Sequence, residues 1–279
     1  MRWRQGKRSQ NIEDRRGQRG RGRRVAGLGG GATILAFVAA LFLGIDPGQL
    51  TGLLGGSQST QQAPVQTNAQ EEEIKDFLSV VLGDTEQVWG QIFQQAGFRY
   101  QPPKLVLYRE ATPTACGTGQ AAAGPFYCPG DHKLYLDLSF LSELKRMGAS
   151  GDFALAYVIA HEVGHHIQTL EGTAEKVQTA RQRSSKVQGN RIQVAMELQA
   201  DCYAGVWAHH AQKQRQILEQ GDLEEGMQAA ASVGDDHLQR MAGRRVVPEA
   251  FTHGSSDQRQ QWLLRGLKSG DLRQCDTFS

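Results

Sequence analysis

The stretch F-A-L-A-Y-V-I-A-H-E-V-G-H-H-I-Q-T, Phe153 to Thr169, decides how the rest of the chain is read. Phe153, Tyr157, Ala160, Val163, Gly164 and Ile167 recur at three- and four-residue steps, which predicts an amphipathic helix with one buried face. Ser150 and Asp152, just upstream, can each cap the free N–H groups of its first turn. The helix carries His161-Glu162-Val163-Gly164-His165, an H-E-x-x-H pattern. A spacing of four puts both imidazoles on one face, one turn apart, where they can reach a single ion. Glu162 is displaced by one step, beside such an ion and placed to take a proton from water bound there. Gly164 keeps the helix thin between the histidines, at some cost in helix propensity. The pattern is short, and by itself it also fits an ordinary helix face.

A zinc that does chemistry has three protein ligands and one open position. Two residues compete for the third place. Glu171 stands where a metzincin pattern would carry its third histidine, but Gln168 replaces the glycine that would turn the chain back. Glu197 lies in A-M-E-L-Q-A-D-C-Y-A-G, Ala195 to Gly205. Ile192, Ala195, Leu198, Cys202, Tyr203 and Val206 form the apolar stripe of a second helix there. Glu197 and Asp201 are four apart and share a face bordering that stripe. Two such carboxylates are expensive to bury unless something positive lies between them and their partners. One zinc per chain, bound by His161, His165 and Glu197, would supply it, with Asp201 orienting an imidazole, that of His161. The competing reading is a solvated acidic pair.

These residues, with C-G…G-P-F-Y-C-P (Cys116 to Pro129), L-Y-L-D-L, T-H-G-S-S-D-Q-R (Thr252 to Arg259) and the N-terminal apolar run, carry a resemblance. H-E-V-G-H followed some thirty residues later by E-L-Q-A-D resembles the gluzincin arrangement. The wider set resembles the bacterial putative neutral zinc metallopeptidase family over nearly the whole chain. The resemblance implies an α+β, zincin-like fold, mostly helical with a small mixed sheet, and an activity on peptide or protein substrates. It also implies a role for His253, because a histidine after the ligand helix stabilises the oxyanion in gluzincin-like enzymes. The plainer meaning of that segment is an N-cap by Ser255 or Ser256. His237 is a weaker candidate for the same place.

The first 24 residues hold ten Arg and Lys against Glu13 and Asp14, a net of +8, while the remaining 21 basic and 27 acidic residues leave −6. Residues 25–45 then contain no charge, about the length of a membrane-crossing helix. A basic tail alone could suggest nucleic acid; beside such a run it reads as topogenic, and no nucleic-acid partner is expected. The positive-inside rule predicts a single-pass signal anchor with the N-terminus cytoplasmic and the catalytic domain extracytoplasmic, and the family resemblance implies that the membrane is a bacterial inner (cytoplasmic) one, with the domain periplasmic. A cleaved signal peptide is the rival. Gly27 to Gly31 offer a route to self-association through the anchor. The organisation expected is a basic tail (1–24), the anchor (25–45), a Gly/Ser/Gln/Thr/Pro linker (46–70) and one domain (71–279).

Within that domain, Glu71 to Ala96 reads as a helix that Gly83-Asp84 could interrupt. Lys104–Tyr108 and Lys133–Leu138 read as strands, with Cys116 to Cys128 as a loop between them. The polar run Glu171 to Gly189 reads as a helix extension or a loop near the cleft. Ala230–Met241 and Asp257–Lys268 read as late helices. His166, one step round the helix from His165, is placed for a hydrogen bond behind the ligands or in the core rather than for a metal bond, and His209 and His210 for solvent. Cys116, Cys128, Cys202 and Cys275 follow the apolar run, which suits an oxidising compartment. Of three pairings the favoured one is Cys116–Cys128 with Cys202–Cys275, and cysteine ligation of zinc is disfavoured by the lack of a C-x-x-C pair. The function read from this is a membrane-anchored zinc peptidase with Glu162 as general base. The alternative is a tethered binding or chaperone-like module whose zinc is structural or idle.

Overall fold

The computed structural model describes residues 1–17, 69–121 and 124–279. Helix α1 (Ala69–Gln95) opens the main body, followed by strands β2 (Lys104–Tyr108), β3 (Ala111–Thr114), β4 (Gly117–Gln120), β5 (Phe126–Cys128) and β6 (Lys133–Asp137). The remainder is helical: α2 (Phe140–Arg146), α3 (Asp152–Leu170), α4 (Thr173–Gln182), α5 (Lys186–Arg215), α6 (Asp222–Ser232), α7 (Asp235–Met241) and α8 (Ser256–Ser269). Two short 3-10 turns, Pro248–Ala250 and Leu272–Cys275, flank α8. A further strand, β1 (Ile12–Asp14), comes from the N-terminal segment.

β1 runs parallel to β2 with Ile12 opposite Leu105, and β2 runs parallel to β6. β5 turns back antiparallel on β6, so the mixed sheet has the order β1-β2-β6-β5, while β3 and β4 form a separate hairpin. The alternating side chains of β2 and β6 are buried on both faces, which is how parallel strands are usually found. Leu105, Leu107, Leu134 and Leu136 join the main core, and Val106, Tyr108, Cys128 and Tyr135 form a smaller cluster on the other side.

α3 is not amphipathic in the expected sense. Every residue from Phe153 to Gly164 is buried, because α1, α5, α6 and β5 all pack around it. Its first turn is not capped by Ser150 or Asp152. The Phe153 N–H instead donates to the Glu225 carboxylate of α6, at 3.0 Å. Two helix contacts bring backbones together. A Cβ on Gly164 would lie 3.0 Å from the Ala200 carbonyl, and one on Gly205 would lie 2.2 Å from that of Leu263. α3 therefore presses on α5, and α5 on α8, at the level of the candidate residues.

The N-terminal segment corrects the expected topology. Residues 1–17, read as a cytoplasmic tail, are part of the same body as the helices. Ser9 and Arg2 N–H groups bond Ser79 and Ile217 carbonyls, Trp3 is buried against Phe77, and the Met1 amino group reaches Asp152 at 2.6 Å. Basic residues of this segment meet acidic ones at the start of α1: Arg4 pairs with Glu73, Arg8 with Asp76, and buried Arg16 with Glu72 as well as with Asp14 of its own segment. A segment hydrogen-bonded into the sheet cannot lie across a bilayer from it, so the single-pass arrangement, with its inner-membrane placement, is overturned. Among the described residues no helix is long and apolar enough to cross a membrane. The apolar run 25–45, its glycine-rich part, and the linker up to residue 68 lie outside the described residues.

Other elements differ in smaller ways. α1 runs unbroken through Gly83-Asp84. Gly83 gives room for the Lys7 carbonyl, 2.4 Å from where its Cβ would be, and Asp84 receives the Trp207 indole and the Arg215 guanidinium. The loop expected between Cys116 and Cys128 contains β4 and β5, and Ala230–Met241 is divided between α6 and α7 at Val233-Gly234. Cys116 is bonded to Cys128 and Cys202 to Cys275, pairings compatible with an extracytoplasmic protein.

Gly83→Ala separates the two arrangements of the N-terminal segment by sign. On a bare helix the change would stabilise by about 0.5–1 kcal/mol. With residues 7–9 docked over it, overpacking should cost about 1–3 kcal/mol, and the melting temperature should fall by several degrees. A rise in melting temperature would contradict the docking.

Candidate metal centre

α3 supplies His161, Glu162 and His165, and α5 supplies Glu197 and Asp201, as the spacing of four in each helix requires. Ligand atoms of His161, His165 and Glu197 lie within 4.8 Å of one another, and all three side chains are largely buried. Glu197 Oε2 is 3.3 Å from His161 Nε2 and 3.6 Å from His165 Nε2. Its other oxygen is taken by the Gln193 amide at 2.8 Å, one turn back on α5. Glu162 is buried next to them, and among the described residues its carboxylate makes no hydrogen bond. Glu171, the competing third residue, accepts a bond from Tyr203 and is not in the cluster.

Asp201 has no exposed surface and is held by three partners. Tyr157 donates its hydroxyl at 2.6 Å, His161 its Nδ1–H at 2.8 Å, and Arg259 two N–H bonds of 2.9 Å, one to each oxygen. Arg259 Nη2 also lies 3.2 Å from His161 Nδ1, since both nitrogens converge on the same Asp201 oxygen. Because a carboxylate only accepts, His161 carries its proton on Nδ1 and directs Nε2 at Glu197. Burial works to raise the Asp201 carboxyl, but Arg259 and His161 outweigh it and hold the group below its ordinary range. Glu197 lies well below its ordinary value for the same reason, with burial opposed by His165 and His161. Burial pulls His161 down, yet Asp201 and Glu197 push it up to about 9, and His165 is raised by Glu197 in the same way.

His253 also comes to this place. It lies close enough to Glu197 for each to shift the other's titration, and its side chain is 44% exposed. Its position comes from Asp235, which is fully buried at the start of α7. One Asp235 oxygen accepts the backbone N–H groups of Thr252, His253 and Gly254, and the other faces His253 Nδ1 at 3.1 Å. Ser255 does cap α8, in a capping box with Gln258, so the segment both starts a helix and delivers a histidine. His237 does not share the site; its Nε2 faces the Met147 carbonyl. His166 is buried between Tyr127 and the Gln101 carbonyl, and burial lowers it to about 4. His209 and His210 are not left to solvent, since they face the Leu267 and Gly270 carbonyls at the end of α8.

Arg259, Tyr157, Gln168 and Asp235 were not anticipated. For Arg259 a signal existed. Arg259, Leu263 and Gly266 form the buried stripe of α8, and an arginine in such a stripe demands a buried anion. Asp235 had none, because its partners are mostly backbone groups 17 to 19 residues away.

The family model of the putative neutral zinc metallopeptidases matches residues 1–278. The chain belongs to that family. The uncharacterized protein YpfJ of Escherichia coli (strain K12) is 48% identical across all of this chain and 99% of its own length. The uncharacterized protein Rv2575 of Mycobacterium tuberculosis (strain ATCC 25618 / H37Rv) is 36% identical over 86% of this chain and 85% of its own. No solved structure matches. The family's name implies zinc, and two imidazoles with one carboxylate converging at this separation are a donor set that zinc accepts.

Metal uptake should be coupled to proton release. A metal takes the lone pair of His161 Nε2, whereas below about pH 9 that nitrogen is protonated in the metal-free protein. Zinc affinity should therefore rise with pH up to about 9 and fall at least tenfold per unit below it. Calorimetry in buffers of different ionisation enthalpy should detect the released protons, and a pH-independent affinity between 6 and 8 would contradict the arrangement.

Proposed function

We propose that this chain is a zinc-dependent peptidase that hydrolyses peptide bonds with an attacking water. The observation that supports it most is the buried convergence of His161, His165 and Glu197 beside Glu162, a carboxylate that makes no hydrogen bond among the described residues. His161, His165 and Glu197 would hold one zinc, which when bound lowers the pKa of its water and polarises the scissile carbonyl. Glu162 then takes the water's proton and delivers it to the leaving amine, a role that needs an acceptor without other partners. Asp201, anchored by Arg259 and Tyr157, keeps His161 in the tautomer that leaves Nε2 available. His253, held on its Nδ1 side by Asp235, is set to donate from the opposite nitrogen to the oxyanion.

The substrate is an extended peptide on this reading. β5 is the edge of the mixed sheet, and among the described residues it pairs only with β6 while packing against α3. An edge strand beside the site offers backbone N–H and C=O groups to a peptide added as a further strand.

Glu162→Gln should keep one zinc per chain and lose about 10²–10⁴-fold of the hydrolysis rate. Glu197→Ala should lose most of the metal. Zinc analysis of both variants beside wild type, with turnover of a denatured protein substrate, checks this. Wild-type hydrolysis by Glu162→Gln would remove the mechanism, and full zinc in Glu197→Ala would move the third ligand elsewhere.

A further inference from the structure

The two imidazoles of the centre are oriented by different chemistry. His161 gives its Nδ1–H to a carboxylate, but His165 Nδ1 faces an amide, Gln168 Oε1, at 2.8 Å. Gln168 is wholly buried on α3, one turn beyond His165. Its amino group has two partners, the Met196 backbone carbonyl at 2.7 Å and Gln199 Oε1 at 2.9 Å, both on α5. Gln199 in turn donates to the Cys275 carbonyl at 3.2 Å. Cys275 is bonded to Cys202, the residue after Asp201.

The direction of this chain is fixed at two points. Backbone carbonyls only accept, so the Met196 carbonyl must face the NH₂ end of Gln168 and the Cys275 carbonyl the NH₂ end of Gln199. Gln199 Oε1 then faces Gln168 and can only accept from it, which agrees with the first assignment. Gln168 Oε1 is left facing His165 Nδ1, where it too can only accept. Nδ1 of His165 must therefore carry a proton, and Nε2 must point at Glu197. Both N–H groups of Gln168 and its oxygen are engaged, as a buried amide requires. A glutamate of the same shape at position 168 could not make these contacts, because it would set carboxylate oxygen against two acceptors.

We propose that Gln168 is the positioning residue for His165, and that Gln199 ties this orientation to the C-terminal segment held by the Cys202–Cys275 disulfide. That segment is also attached to α5 through Thr277, whose hydroxyl donates to the Ala195 carbonyl at 2.6 Å. The C-terminal end thus clamps α5 on both sides of Glu197, at Ala195 and through Gln199, and the amide chain carries its position to a metal-binding imidazole. The consequence for metal binding rests on the peptidase reading above; the hydrogen-bond assignment stands apart from it.

The test reads the ring protons and the metal separately. In metal-free wild type, nitrogen-15 NMR should show an exchange-protected Nδ1–H on both His161 and His165. Gln168→Met should lose the protection at His165 and keep it at His161, with zinc affinity, measured against a chromophoric chelator, lower by about 10–100-fold. Gln199→Met and the double variant Cys202→Ala/Cys275→Ala should act in the same direction at His165, again sparing His161. An unprotected His165 Nδ1 in wild type would overturn the proposal without any variant. So would Gln168→Met with wild-type protection and affinity, or loss at both histidines together, which marks a general loosening. If wild type shows the protected pattern but takes up no zinc, the peptidase reading fails while the assignment of Gln168 holds.

Discussion

A carboxylate with no exposed surface, Asp201, must be met by positive charge and by donors, and the elements around the site are placed by that need. Removing one partner from a buried ion pair typically costs about 3–5 kcal/mol, because the charge left behind is unpaired, so Arg259 and Asp201 fix the register of α8 on α5. Small residues make the approach feasible. Gly205 lets the α8 backbone come close enough for the guanidinium to reach Asp201 with two bonds, and Gly164 does the same for α3 against Ala200. Close packing and charge satisfaction are here one requirement: a helix shifted by a side chain's width would leave a charge unpaired.

The same logic extends to the N-terminal segment. Basic residues ahead of an apolar run invite a topological reading, but Glu72, Glu73 and Asp76 at the start of α1 are their partners. Exposed pairs such as Arg4–Glu73 contribute about 0–1 kcal/mol each. Arg16 differs, because its guanidinium is buried between Asp14 and Glu72. With β1 in register on β2 and Trp3 against Phe77, the segment is built into the domain by backbone bonds, apolar burial and ion pairing together.

What could be read from the chain was whatever depends on spacing within one helix. His161 and His165, or Glu197 and Asp201, are each four apart, and the helical period alone places them on one face. What escaped depends on contacts between distant segments. Asp235 meets His253 only because α7 folds back on the loop before α8. Gly83 looked like a helix breaker because the missing Cβ serves Lys7, 76 residues earlier. Arg259 and Gln168 lie between these cases: each is a polar residue in an apolar stripe, which signals a buried partner without naming it. The transmembrane reading failed for a related reason, since charge and length describe a segment but not what it packs against.

The charge of the buried centre accounts for the direction in which its histidines titrate and suits it to a divalent cation. Glu162, Glu197 and Asp201 bring three negative charges, and Arg259 cancels one. Two remain, in surroundings where burial leaves them weakly screened by water. Without a metal, His161 and His165, with His253 beside Glu197, answer that charge, and all three are raised by carboxylate neighbours against the opposing effect of burial. One dication held by His161, His165 and Glu197 would replace the two imidazole protons and keep the same balance. Arg259 therefore sets the charge of the site as well as its geometry. Without it the excess would be three, and no single divalent ion would leave the centre neutral.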